Sequence, residues 1–251
     1  MEIFPTTVGV FGLLGLGLLF GLRHATEVDH IVAVSTIVSQ HKSIFRSAEV
    51  GALWGAGHTA ALLVTGIFVL SLRVSIPVTI SGWLEFGVAL MIIALGTSAL
   101  WRTLRQKTDV HVHEHSHDRL SHVHVHFHDK HTQHQVTGRS RHSHTVSRLG
   151  VKPVLIGSMH GLAGSGSVTL LVLTQIKSVW VGLLYLGVFG LGSVLGMLFM
   201  SGVIGLPFAL TSRNLTRFHH VLQTSAAVLS ICFGLWYAYM TGFYSGLFKA
   251  S

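Results

Sequence analysis

Arg23, His24, Glu27, Asp29 and His30 fall within eight positions of one stretch, GLRHATEVDHIVAV at residues 21–34, and the chain on either side is almost purely apolar. Imidazoles beside carboxylates are ligands for borderline transition metals, whereas Mg2+ and Ca2+ prefer oxygen. A charge at the centre of a bilayer costs at least ~2.5 kcal/mol on insertion scales. Five such groups must therefore face a bundle interior and meet one another, water or an ion. On an ideal helix His24 and His30 lie about 120° apart, and His24 and Asp29 about 140° apart. One regular helix cannot aim them all at one point. Either the backbone unwinds between residues 23 and 29, which is tolerated at membrane depth only where it lines a cavity, or other segments supply ligands. His58 in GAGHTAALLV, His160 in GSMHGLAGSGS and Glu85 near the start of its apolar segment are the candidates. Each alone reads as well as a buried polar group bonded to backbone; the His24–His30 cluster tips them toward a shared site, Glu85 least. Arg23 is awkward beside a dication and is expected to pair with Glu27 or to extend to a membrane edge.

A second set of ligands is of another kind. Residues 111–144 hold twelve His among 34 residues, and HVHEHSH (His111, His113, His115, His117) and HVHVHFH (His122, His124, His126, His128) alternate strictly. Such a tract binds metal by composition. Its low hydrophobicity and simple sequence predict disorder without metal. Neutral imidazoles suit Ni, Co, Cu and Zn alike, so the tract gathers or hands over metal and discriminates little. A pH-responsive solvated linker is the alternative reading.

The elements that must position these groups are membrane helices. Of 251 residues only 10% are charged and 49% are hydrophobic, against roughly 25% charged in a soluble domain. About 20 apolar residues cross a bilayer, which gives candidate spans at 7–38, 48–72, 78–101, 153–176, 179–206 and 218–243. The first is too long for one straight helix and too short for two, so it is a long or broken helix interrupted near 23–30. Thirteen Lys and Arg lie in the connections after spans one, three and five, and three on the opposite side. This asymmetry places the long loop in the cytoplasm and accounts for the net charge of +8 without a nucleic-acid partner. The N-terminal MEIFPTT lacks Lys and Arg and does not resemble a cleaved signal peptide. Cys232 is the single cysteine, so no disulfide forms within the chain.

The stretch from Gly21 aligns with GSMHGLAGSGSVTLLVLTQIKSV from Gly157 at an offset of 136 residues, with Gly21 on Gly157, His24 on His160 and Gly51 on Gly187. Three spans per half force the halves into opposite orientations, the plan of transporters whose site lies at the midplane between broken helices. The expected fold is all-α: a polytopic bundle of about six spans in two inverted three-span repeats, residues 1–101 and 151–251, joined by a His-rich cytoplasmic loop at 102–150.

His24, four residues, then Asp29-His30 matches the H-x4-D-H signature of nickel/cobalt transporters, and RHATEVDHI matches its surroundings. The chain resembles the shorter, urease-accessory-like or efflux-like members of that family. HGLAGSGSVTLLVLT at 160–174 is similar to their second-half signature, and His58 matches their Gly-His-Ser/Thr element. The resemblance covers both halves. It implies transport of Ni2+ or Co2+ as substrate, with His24, Asp29 and His30 essential and no resident cofactor. Divalent metal ions, the bilayer and cytoplasmic metallochaperones are the implied partners, and the plasma membrane the implied location. The family commonly has Asp where this chain has Glu27, which keeps the charge on a longer arm. Longer members have eight spans, so their topology does not carry over.

Two other functions fit parts of the sequence. Ala163-Gly164-Ser165-Gly166 approaches the element of intramembrane serine proteases, with Ser165 as nucleophile and His219 or His220 as base. That reading has Ala where the element has Gly, places its base at a span edge, and leaves His24, Asp29, His30 and His58 unused. The third is a metal-sensing or chaperone membrane protein that never transports. The Gly-rich stretch is not a dinucleotide loop, because no βαβ pattern surrounds it.

Loop and membrane motif are separable by experiment. Deleting residues 111–144 should lower the metal captured per protein and shift the concentration dependence of flux without abolishing it. Loop binding should fade as pH falls through the ordinary His range near ~6.5, since protonated imidazole does not ligate. Flux into proteoliposomes, with His24→Ala alongside, checks this. A folded deletion as inactive as His24→Ala would make the loop part of the path.

Overall fold

A computed structural model of the chain describes residues 7–72, 77–106, 110–117, 120–127, 150–163, 176, 178–245 and 247–248. Among them are helices α1 (Thr7–His24), α2 (Val28–Val38), α3 (Ile44–Leu72) and α4 (Val78–Gln106), then strands β1 (Val110–His117) and β2 (Leu120–Phe127). Helices α5 (Val151–Leu162), α6 (Val179–Asn214) and α7 (Thr216–Tyr239) follow, and α7 runs on into one π-helical turn, Met240–Tyr244. Four helices, α3, α4, α6 and α7, are long and apolar enough to cross a membrane, or five spans if α1 and α2 count as one. At 29 residues, α3 and α4 reach about 43 Å, past a hydrocarbon core of about 30 Å. Their polar ends therefore extend beyond the apolar runs seen in the sequence. The expected span 153–176 begins as α5, and 164–175 lie outside the described residues.

The first span is broken where the sequence requires it. α1 and α2 meet at 53°. Its last turns close through Ala25 N donating to Gly21 O and Thr26 N to Arg23 O, and the Thr26 hydroxyl also donates to Arg23 O at 2.6 Å. Glu27 is then extended, with φ −64° and ψ 148°, which redirects the chain before its carbonyl accepts from Ile31 N and starts α2. A Thr whose hydroxyl competes for the helix backbone, followed by an extended residue, thus makes the bend without Pro or Gly.

α3 and α6 form the centre of the bundle. α1 packs on α6, α5 on α3, α4 on α7, and the short α2 is wedged among α4, α6 and α7. The crossings are set by glycine. A β-carbon at Gly21 would run into Phe189 O, one at Gly57 into Val154 O, and one at Gly157 into Trp54 O. At Gly192 it would lie 2.5 Å from Leu18 O. Without a side chain in the way, backbones approach and dispersion contacts replace the hydrophobic drive that lipid does not supply. Gly51 packs on Ser201 and Met197, whereas Gly187 has open space around it, so that pair from the repeat alignment does not share a packing role.

Within the long loop, β1 pairs antiparallel with β2, His111 opposite His126, His113 opposite His124 and His115 opposite His122. The strict period-two alternation of these two stretches is itself a strand pattern. His128 and the rest of 128–149 lie outside the described residues.

Glycine placement yields a paired test. Gly192→Ala should lower the unfolding midpoint in detergent, by about 1–3 kcal/mol of overpacking. Gly187→Ala, on the same helix but in open space, should be neutral or gain up to about 1 kcal/mol of helix propensity. Equal effects at both positions would contradict the close-approach account.

Candidate metal centre

The break in the first span turns the ends of α1 and α2 toward α3 and α5. His24 ends α1, Asp29 and His30 open α2, His58 lies midway along α3, and His160 sits near the end of α5. His24, His30, His58 and His160 are all buried, none more than 3% exposed. Asp29 is the open member, with 15% of its side chain exposed.

Asp29 joins the pieces. Its Oδ1 lies 3.0 Å from His30 Nδ1 and accepts the His30 backbone N–H at 2.9 Å. Its Oδ2 lies 2.9 Å from His160 Nε2. Ionised, the carboxylate only accepts, so both rings direct an N–H at it. A neutral imidazole then carries its lone pair on the other nitrogen, and those atoms, His30 Nε2 and His160 Nδ1, are buried without a hydrogen-bond partner. The second carboxylate works the same way: Glu27 Oε1 lies 3.0 Å from His24 Nδ1, and His24 Nε2 lies 3.1 Å from His58 Nε2. His58 Nδ1 is buried and unpartnered as well. A carboxylate behind an imidazole fixes its ring and raises its basicity as a ligand.

These side chains form two groups in which the candidate ligand atoms all lie within 4.8 Å of one another: His24, His30 and His58, and Asp29, His30 and His160. The His30 ring centroid is 4.6 Å from that of His24, 5.4 Å from His58 and 4.3 Å from His160. Trp54 stacks on His30 at 5.9 Å and 12°, and Phe189 lies 5.6 Å from His24.

Most residues singled out in the sequence converge here. Glu27 meets His24 rather than Arg23, which stands exposed at the end of α1. Glu85 stands apart from both ligand groups; half-buried on α4, it has a long contact of 3.5 Å from Ser81 Oγ. His111, His113, His115, His117, His122, His124 and His126 lie on the strands of the hairpin, and none belongs to either ligand group. Ser165 lies outside the described residues, and His219 Nδ1 is 3.1 Å from Thr211 Oγ1.

Sequence reasoning missed Trp54, Phe189 and Gln223. Trp54 was detectable, since four residues before His58 puts it on the same helix face. Phe189 gave no signal. Gln223 donates to Ser39 O at 2.7 Å and so anchors the far end of α2 to α7.

No family model and no solved structure matches the chain. The urease accessory protein UreH of Bacillus sp. (strain TB-90) is 39% identical to it over 243 residues, which cover 96% of this chain and 97% of that protein. A match at this identity over nearly the whole of both chains places this chain in the UreH family, the short urease-accessory-like members of the nickel/cobalt transporter family that its motifs resemble.

Proposed function

We propose that the chain is a multi-pass transporter of divalent transition-metal cations, Ni2+ and Co2+ foremost, and that His24, Asp29, His30, His58 and His160 take the ion inside the membrane. The observation that carries this reading is three imidazole nitrogens, His30 Nε2, His58 Nδ1 and His160 Nδ1, buried together without partners in an apolar bundle. A buried polar atom left unsatisfied costs roughly 1–3 kcal/mol, and three such nitrogens, on His30 and on the rings to either side of it, suit a metal ion that accepts lone pairs. Mg2+ and Ca2+ are poorly matched to such donors and borderline transition metals well matched. The relative's name assigns it to urease, and uptake of nickel for such an enzyme fits this site.

The architecture we propose is six spans in two inverted repeats, with the hairpin loop in the cytoplasm and the protein in the plasma membrane. Its support is reciprocal packing. Gly21 on Phe189 mirrors Gly157 on Trp54, and Leu18 against Gly192 mirrors Val154 against Gly57, with α1 and α5 matched at an offset of 136 residues and α3 and α6 at 135. α1 leans on α6 as α5 leans on α3. The ion site then lies between the halves, where His24 and His160 occupy matching places. Glu27 orients His24, Glu85 supplies a further carboxylate on α4, and the loop histidines gather metal or pass it to soluble metallochaperones.

Sealed proteoliposomes test this. The unsubstituted chain should accumulate Ni2+ or Co2+ down an imposed gradient, and His24→Ala, Asp29→Ala and His30→Ala should each lose at least about tenfold, the range of one removed ligand contact or its support, while still inserting. Metal binding without flux would favour a sensor or chaperone, and normal flux in His24→Ala and Asp29→Ala would rule out this site.

A further inference from the structure

We infer that the buried group is two overlapping ion positions that share His30, and that one Ni2+ or Co2+ ion occupies them in turn. The inference rests on the transport reading and specifies how its site works. The candidate ligand atoms divide into two groups, and only His30 belongs to both. Its ring lies between them, 4.3 Å from His160 on one side and 4.6 Å from His24 on the other. Its two nitrogens are committed differently: Nδ1 is 3.0 Å from Asp29 Oδ1, and Nε2 has no partner. Trp54, stacked nearly parallel to the ring, holds its plane.

A neutral imidazole has one lone-pair nitrogen at a time. His30 can therefore complete one position or the other, and a second ion is excluded while the first is bound. The positions differ in chemistry. The Asp29/His30/His160 position carries the carboxylate and includes the most exposed member of the group, so a hydrated dication meets it first. The His24/His30/His58 position is all imidazole and wholly buried, and there the preference for borderline metals over Mg2+ and Ca2+ is strongest. Conduction needs binding favourable enough to enter and weak or divided enough to leave. Five ligands around one ion would hold it fast, whereas two three-ligand positions exchanging through His30 let it move.

Trp54 supplies the readout. In the full-length chain with Trp83, Trp101, Trp180 and Trp236 replaced by Phe, added Co2+ should quench Trp54 emission saturably, and the same protein should carry Co2+ into proteoliposomes. His58→Asn and His160→Asn should each lose transport yet keep saturable quenching, because each leaves one position complete. His30→Asn, and the double variant His58→Asn/His160→Asn, should lose both. His58→Gln and His160→Gln replace any Asn variant that does not elute as the parent does. If either single variant loses quenching as fully as His30→Asn, the group is one site and the inference is wrong; it is equally wrong if either transports like the parent. Failure of the parent to quench or transport would instead overturn the transport reading, and this inference with it.

Discussion

Everything in this bundle is arranged around one carboxylate that has to be paired. Asp29 sits among apolar helices, where an unpaired ion is costly, and its two oxygens reach His30 on its own helix and His160, 131 residues further along the chain. That single group fixes how α2 meets α5 and which edge of each imidazole faces the interior. Its place in the first turn of α2 also suits an anion at a helix N-terminus. The bend after His24 exists in the service of this geometry: a straight first span would carry Asp29 and His30 away from His24.

Such a site demands backbones closer than ordinary side chains permit. Gly57 and Gly161 bring α3 and α5 together on either side of His58, and Gly21 and Gly192 do the same for α1 and α6. Hydroxyl groups finish the work in a setting without water. Ser158 donates to Gly57 O and Val154 O, Thr59 to Gly190 O at 3.1 Å, and Ser193 to Gly21 O at 3.4 Å. Small residues and backbone-directed hydroxyls are the means by which membrane helices dock. Here they hold five candidate ligand side chains within a few ångströms of their neighbours, each on a helix.

The break and the clustering of the candidate ligands were legible because charge in an apolar segment is physically intolerable without a reason, and helical angles ruled out a regular helix. His58 and His160 followed because each was an isolated imidazole in a span. The partner of Glu27 was not legible, since its choice between Arg23 and His24 depends on how a three-residue turn folds back. Trp54 looked like one more apolar residue, and its stacking on His30 arises only from the crossing of α2 and α3. In the histidine loop the strict alternation is a strand pattern, and Val110–His117 pairs with Leu120–Phe127. The Gly51–Gly187 match shows the limit of reading repeats from identity alone, for one glycine is packed and the other free.

The central claim is that the transported ion sits among His24, Asp29, His30, His58 and His160 rather than on the loop. Anomalous diffraction at the nickel or cobalt edge from metal-loaded crystals of the full chain tests it directly. The account predicts an anomalous peak within coordination distance of His30 and of at least two other members of this group. Metal peaks confined to the histidine hairpin, with none beside His30 at saturating metal, would contradict it.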